Sequence, residues 1–90
     1  MTKVVWSFRA IRDLNAIRRY ISTFNPLAGQ RMALRLVSAS DTLVDFPERG
    51  VTISKGRRQL TTEPPYLLRY RVSQGVVTII DVRHAAEDAP

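Results

Sequence analysis

Tyr66-Leu67-Leu68-Arg69-Tyr70-Arg71-Val72, Ser73-Gln74-Gly75 and Val76-Val77-Thr78-Ile79-Ile80-Asp81-Val82-Arg83-His84 run consecutively, and their reading decides the fold. Two runs rich in β-branched and aromatic residues flank a short polar segment that ends in glycine, the pattern of an antiparallel hairpin. With Ser73-Gln74-Gly75 as a three-residue loop and Gly75 left-handed, Val72 faces Val76. Tyr70 then stands by Thr78, Leu68 by Ile80 and Tyr66 by Val82, all on one nearly apolar face. The opposite face carries Leu67 by Asp81, Arg69 by Ile79 and Arg71 by Val77, with Arg83 beyond. A two-residue loop would move the register by one and set Asp81 beside Leu68, a worse pairing. One face of the hairpin is therefore expected to pack on another layer, and the other to be basic.

Working back along the chain, Gly56-Arg57-Arg58-Gln59-Leu60 supplies another strand-like run. Residues 51–56 read as a loop or a short extra strand after the turn at Glu48-Arg49-Gly50. Lys3 to Trp6 reads as an N-terminal strand. Ser7 stands where a helix N-cap belongs, and Phe8, Ile11, Leu14, Ile17, Ile21 and Phe24 draw a stripe along a helix over about 7–22. Asn25-Pro26 opens a second helix, since asparagine caps well and proline suits the first helical position. Its stripe is Ala33, Leu36, Val37, Ser40, Leu43 and Val44, and Phe46-Pro47 closes it. The short connection makes the two helices an antiparallel hairpin that needs a third surface to bury against. The expected fold class is α+β, ordered β-α-α-β-β-β, with the helical hairpin on one face of a small antiparallel sheet. A single domain over 1–84 is followed by a small, acidic, loosely held tail at 85–90.

Ninety residues suffice for one domain with a modest core, and a hydrophobic fraction of 44% is too high for disorder. With no cysteine, disulfides and thiolate metal sites are excluded; no metal site or cofactor is expected. The absence of a long apolar run or signal-peptide pattern makes the cytoplasm, away from any membrane, the expected location. Charge is the strongest global bias: 14 Lys plus Arg against 8 Asp plus Glu, net +6, with only Lys3 and Lys55 being lysine. Arginine serves planar, multi-donor contacts, so nucleic acid or a strongly acidic protein is the expected partner, although a GC-rich genome also enriches arginine. A generic nucleic-acid module fits poorly, because the basic face lacks exposed aromatics for stacking and no recognition-helix or zinc pattern occurs.

Several short patterns, in order, make the chain resemble the RelE/ParE superfamily of bacterial type II toxin–antitoxin toxins. They are Ala10-x-x-Asp13-Leu14-x-x-Ile17-x-x-Tyr20-Ile21, Asn25-Pro26, Leu43-x-x-Phe46-Pro47-x-x-Gly50, Arg58-Gln59-Leu60, Tyr66-x-x-x-Tyr70-x-Val72 and Ile80-x-Val82-x-His84. The likeness is closer to ParE than to RelE. Gln59 stands where the family often has glutamate, and the chain stops soon after His84, without the arginine- and tyrosine-bearing segment of mRNA-cutting relatives. ParE-like toxins act by binding DNA gyrase; RelE-like toxins cut mRNA on the ribosome. The resemblance thus implies a growth-arresting gyrase inhibitor, with a ribosome-dependent endoribonuclease as the alternative. It also implies a cognate antitoxin whose flexible, acidic C-terminal segment forms a hetero-oligomer with the toxin; Arg12, Arg19, Arg31 and Arg35 on the helices are the expected contacts.

Arg58, Arg69, Arg71, Arg83 and His84 are the candidate target-binding residues. Metal-independent RNA cleavage needs a base for the 2′-hydroxyl, an acid for the leaving oxygen and cations for the phosphorane. Arg58, Arg83 and His84 would serve in a nuclease, with Lys55 a further cation. The base is the gap: Glu63 and Asp81 are nearest, and Asp81, among arginines, suits an ion pair better than proton abstraction. His84 also reads as a strand-end histidine bonded to backbone or carboxylate. Trp6, Tyr66 and Tyr70 are expected in the core.

Overall fold

A computed structural model describes residues 2–54 and 56–88. Strand β1 (Lys3–Trp6) is followed by helices α1 (Phe8–Ser22) and α2 (Pro26–Asp41), then a single 3-10 turn at Thr42–Val44. Strands β2 (Val51–Ser54), β3 (Arg57–Glu63), β4 (Tyr66–Ser73) and β5 (Val76–His84) form a meander. The five strands make one sheet in the order β1-β5-β4-β3-β2. β1 runs parallel to β5, whereas the meander pairs antiparallel, so the sheet is mixed.

The caps fall where the sequence places them. Ser7 Oγ accepts the Ala10 N–H at 3.0 Å, and Asn25 Oδ1 accepts that of Ala28 at 3.1 Å, each satisfying an otherwise unpaired helix donor. The helices pack on the sheet through Ala10, Leu36, Ala39 and Leu43, against Leu60, Tyr66, Leu68, Tyr70, Val77, Ile79 and Val82. Trp6 packs at the margin of this core and donates its indole N–H to Ser40 Oγ at 3.2 Å.

The stripe expected on α1 is only partly right. Leu14, Ile17 and Ile21 pack against the core, but Phe8 is 93% exposed and Phe24 76%, and Ile11 is exposed as well. For Phe8 and Ile11 the cause is helical geometry: each three-residue step falls about 60° short of a full turn, so three in succession rotate by about 180°. Phe24 lies beyond the end of the helix at Ser22. The buried line is Ala10, Leu14, Ile17 and Ile21, spaced 4-3-4. On α2 the second stripe buries Leu36 and Ser40 and continues to Leu43 in the 3-10 turn, while Val44 is exposed.

The β4–β5 register differs from the expected one. The connection is a two-residue turn, Gln74-Gly75, with both φ angles positive (50° and 76°), as a type I′ turn requires. Ser73 therefore pairs with Val76, and Tyr70 with Ile79. A bulge then absorbs Ile80, after which Arg69 pairs with Asp81, Leu68 with Val82 and Tyr66 with His84. Val77 and Ile79, rather than Val76, Thr78 and Ile80, join the core. The extra residue removes the objection to a two-residue loop, because it carries Asp81 past Leu68 to the arginine side.

Helix α1 holds this bulge from the side. β1 ends at Trp6, opposite Ile79, which leaves the rest of that edge of β5 without a strand. Ser7 Oγ donates to the Ile80 carbonyl at 2.8 Å, and Asp13 Oδ2 accepts the Val82 N–H at 3.1 Å. Two side chains thus do what a strand would have done.

Residues 51–54 form the edge strand β2, and residues 85–88, expected in a loose tail, form a 3-10 turn. That turn is fastened by the Ala85 N–H to the Pro65 carbonyl at 2.8 Å. Ala89 and Pro90, the rest of the expected tail, lie outside the described residues, as does Lys55. Among the described residues, no helix is long and apolar enough to cross a membrane, and no group of three or more His, Cys, Asp or Glu is placed to hold a metal.

Candidate target-binding and partner-binding surfaces

Strand alternation sorts the candidate arginines. In β4, Tyr66, Leu68 and Tyr70 face the helices, so Leu67, Arg69 and Arg71 face away from them. Pairing brings Asp81 beside Arg69, Arg83 beside Leu67 and Thr78 beside Arg71 on that outer face. Gln59 of β3 continues the Arg69 row. Arg69, Arg71 and Arg83 therefore share one surface, as expected, with Asp81 among them.

Arg69 and Asp81 form a bidentate pair, Nε to Oδ1 and Nη2 to Oδ2, both at 2.8 Å. The Asp81 side chain is 4% exposed and that of Arg69 22%. Burial pushes the Asp81 carboxyl up, but the bonds and charge of Arg69, with the charges of Arg9 and Arg83, hold it below its ordinary value of 3.8. Asp81 is thus a structural anion within a cluster of guanidiniums.

The remaining candidates lie elsewhere. Arg58 pairs with Tyr70 and so belongs to the helix side of the sheet. Its Nη1 donates to the carbonyls of Gly50 at 2.8 Å and Glu48 at 3.2 Å, clamping the loop after α2. Tyr70 fixes the same loop: its hydroxyl donates to the Pro47 carbonyl and accepts the Gly50 N–H, both at 2.8 Å. Burial raises the Tyr70 phenol above 10.0, opposed by the Gly50 bond and by Arg58 and Arg49. His84 pairs with Tyr66 at the end of β5 and meets its ring edge-on at 5.4 Å. Its Nδ1 accepts the Ala86 N–H at 3.0 Å, and its own backbone N–H donates to Glu87 Oε1 at 3.1 Å. It is a strand-end histidine tied to backbone. Glu63, the other candidate base, is half-buried opposite Tyr66 at the far end of β3.

The helix side presents a different chemistry. Arg12 and Arg19 on α1 and Arg31 and Arg35 on α2 are all exposed. From Leu14 to Ser40 the sequence contains arginines but no aspartate or glutamate. Interspersed are Tyr20, Phe24, Leu27 and Leu34, each more than half exposed; Tyr20 and Phe24 meet edge to face at 5.6 Å. Exposed apolar side chains among unneutralised arginines suit an acidic partner carrying apolar anchors. Phe24, expected on the buried stripe, is in phase with Ile21 but lies past the end of α1 at Ser22 and is exposed. Arg57 was passed over, although it lies two residues from Gln59 and so on the Arg69 face.

This small α+β domain, with a basic outer sheet face and an apolar, basic helix hairpin, is a toxin of the RelE/ParE superfamily. The chain belongs to the ParE family: residues 4–89 match the model described as ParE toxin of type II toxin-antitoxin system, parDE. It is a type II toxin of the ParE/RelE group, and toxins of this family pair with a cognate antitoxin. It is 54% identical to the Toxin RelE2 of Caulobacter vibrioides, over 96% of this chain and 98% of that protein. It is 33% identical to the Putative toxin Y4kP of Sinorhizobium fredii, over 98% and 93% of the two chains. A solved chain of the chromosomal ParDE TA system from P. aeruginosa shares the fold, with a TM-score of 0.81 at 24% identity, covering 93% of this chain and 96% of that one.

Proposed function

We propose that this toxin arrests growth by binding DNA gyrase through the outer sheet face and the C-terminal end of β5, without itself cutting nucleic acid. Arg69, Arg71 and Arg83 lie on that face, with Arg58 and His84 holding the segments at its margins. The observation that carries the reading is the condition of the groups a nuclease would need. Asp81 is bound by both oxygens to Arg69, and His84 Nδ1 is engaged by the Ala86 N–H. Neither is placed as a ready proton acceptor. The match to the ParE family model supports the same target.

A cognate antitoxin would lay an acidic, flexible segment along the helix hairpin. Apolar anchors would meet Tyr20, Phe24, Leu27 and Leu34 while carboxylates meet Arg12, Arg19, Arg31 and Arg35. This would form a hetero-oligomer and reduce the self-repulsion of a chain with net charge +6. Purified toxin should block gyrase supercoiling and leave mRNA on translating ribosomes intact.

The relative named Toxin RelE2 favours a second reading, ribosome-dependent mRNA cleavage with Arg58, Arg83 and His84 as the working residues. The same pair of assays separates the two, because cut mRNA with unaffected supercoiling would reverse the assignment. A cytoplasmic location fits either target.

A further inference from the structure

Arg57 and Arg71 flank the last β3–β4 pair, Arg58–Tyr70, one on each of the two neighbouring strands. Both are exposed, and alternation turns both to the outer face. Like charges on neighbouring strands of one sheet face repel. One row away the charge of Arg69 is met by Asp81, yet neither Arg57 nor Arg71 has a hydrogen-bond or ion-pair partner among the described residues. Thr78 pairs with Arg71, and Ser73 and Gln59 lie two residues along the same strands, offering hydroxyl and amide groups.

We infer that Arg57 and Arg71 form a binding site for a nucleic-acid phosphodiester. Two adjacent guanidiniums on a rigid sheet can grip the non-bridging oxygens of one phosphate or bridge successive ones. A peptide ligand fits less well, because the large exposed apolar side chains that would hold its anchors lie on the helix side, at Tyr20, Phe24, Leu27 and Leu34. With no exposed aromatic ring beside the pair, contact is to the backbone and carries no base readout. Both gyrase with its DNA and the ribosome with its message contain phosphodiesters, so the site stands whichever target proves right.

The test is binding of the full chain to a labelled DNA duplex and to a single-stranded RNA of equal length, by fluorescence anisotropy across a salt series. The proteins are wild type, R57Q/R71Q and a charge-matched control, R18Q/R49Q. Near 0.1 M salt each phosphate contact contributes about eightfold through counterion release, so R57Q/R71Q should weaken duplex binding roughly 60-fold and reduce the salt slope by about 1.8. Its thermal midpoint should equal or exceed that of wild type, because a repulsive pair has gone; a mere structural role would lower it. Preference for duplex or RNA identifies the source, and equal binding marks generic backbone contact; each supports the site. Wild type that binds neither, or a control as impaired as R57Q/R71Q, overturns it. Supercoiling inhibition is scored separately: its persistence without nucleic-acid binding would sink this site alone, whereas binding without inhibition would sink the gyrase reading.

Discussion

Asp81→Asn tests whether the outer face is organised around one buried carboxylate. The substitution keeps the shape and removes the charge that receives two 2.8 Å bonds from Arg69 and sits near Arg9 and Arg83. Breaking a buried pair from one side costs about 3–5 kcal/mol, and Arg69, at 22% exposure, can partly rehydrate, which favours the low end, about 3 kcal/mol. A domain of this length has roughly 5–13 kcal/mol in all, so the variant still folds at room temperature. At about 4–8 °C per kcal/mol, its melting midpoint at pH 7 should fall by roughly 12–24 °C, measured by circular dichroism. The difference should depend on pH in one direction. Because the folded protein holds Asp81 ionised below its ordinary 3.8, the unfolded chain takes up the proton first; the contribution is complete above about pH 4 and disappears as pH falls further. Wild type and variant should therefore draw closer in acid. Replacing both partners, Arg69→Met with Asp81→Leu, should recover most of the loss, since no charge is then stranded. A pH-independent gap, a midpoint within a few degrees of wild type, or a double variant as poor as the sum of its parts would refute the reasoning.

Tyr70→Phe leaves the buried Gly50 N–H and Pro47 carbonyl without their partner and should cost about 2–4 kcal/mol by urea unfolding. Because the folded state retains the Tyr70 proton above pH 10.0, wild-type stability should decline as pH rises past that value, and the variant should show a shallower decline, with Tyr66 supplying the remainder. Gly29→Ala places a Cβ against Ser22 Oγ and 2.6 Å from the Arg18 carbonyl oxygen, forcing α1 and α2 apart; a loss of about 1–3 kcal/mol in the same assay is expected, and an unchanged midpoint would contradict the close approach. Gln74→Gly should stabilise the chain by about 0.5–1 kcal/mol, since Gln74 sits at φ 50° in a turn that glycine enters without strain; destabilisation would argue against that turn.

How far the sequence could be read depended on the distance over which each feature is decided. Both helix caps, the extent of α1 and the division of β4 into an apolar and a basic face are settled within four residues, and each was legible. The β4–β5 register was not, because the bulge that corrects it is supported by Ser7 and Asp13, from the other end of the chain. Parallel pairing of β1 with β5 is equally non-local. Arg58 was a different kind of miss. It lies two residues from Leu60, which is buried, so strand alternation alone assigns it to the helix side; grouping the arginines by charge concealed that. His84 and Arg83 are adjacent in sequence and fall on opposite faces for the same reason.

The arginines of this chain divide by what surrounds them more than by where they occur in sequence. Arg58 is used up on main-chain carbonyls, and Arg69 on Asp81, so substituting either disturbs the scaffold before it disturbs any encounter with a target. Arg57 and Arg71 are exposed on neighbouring strands, and Arg12, Arg19, Arg31 and Arg35 are exposed on the hairpin that also carries Tyr20, Phe24, Leu27 and Leu34. These two groups lie on opposite sides of the sheet. An antitoxin seated only on the hairpin would therefore leave the outer face open to solvent, and neutralisation would have to act through bulk that blocks approach to the target or through a segment long enough to round the sheet edge. Loss of toxicity alone cannot assign a residue to either surface: a scaffold arginine and a contact arginine both silence the toxin, and only the melting midpoint separates them.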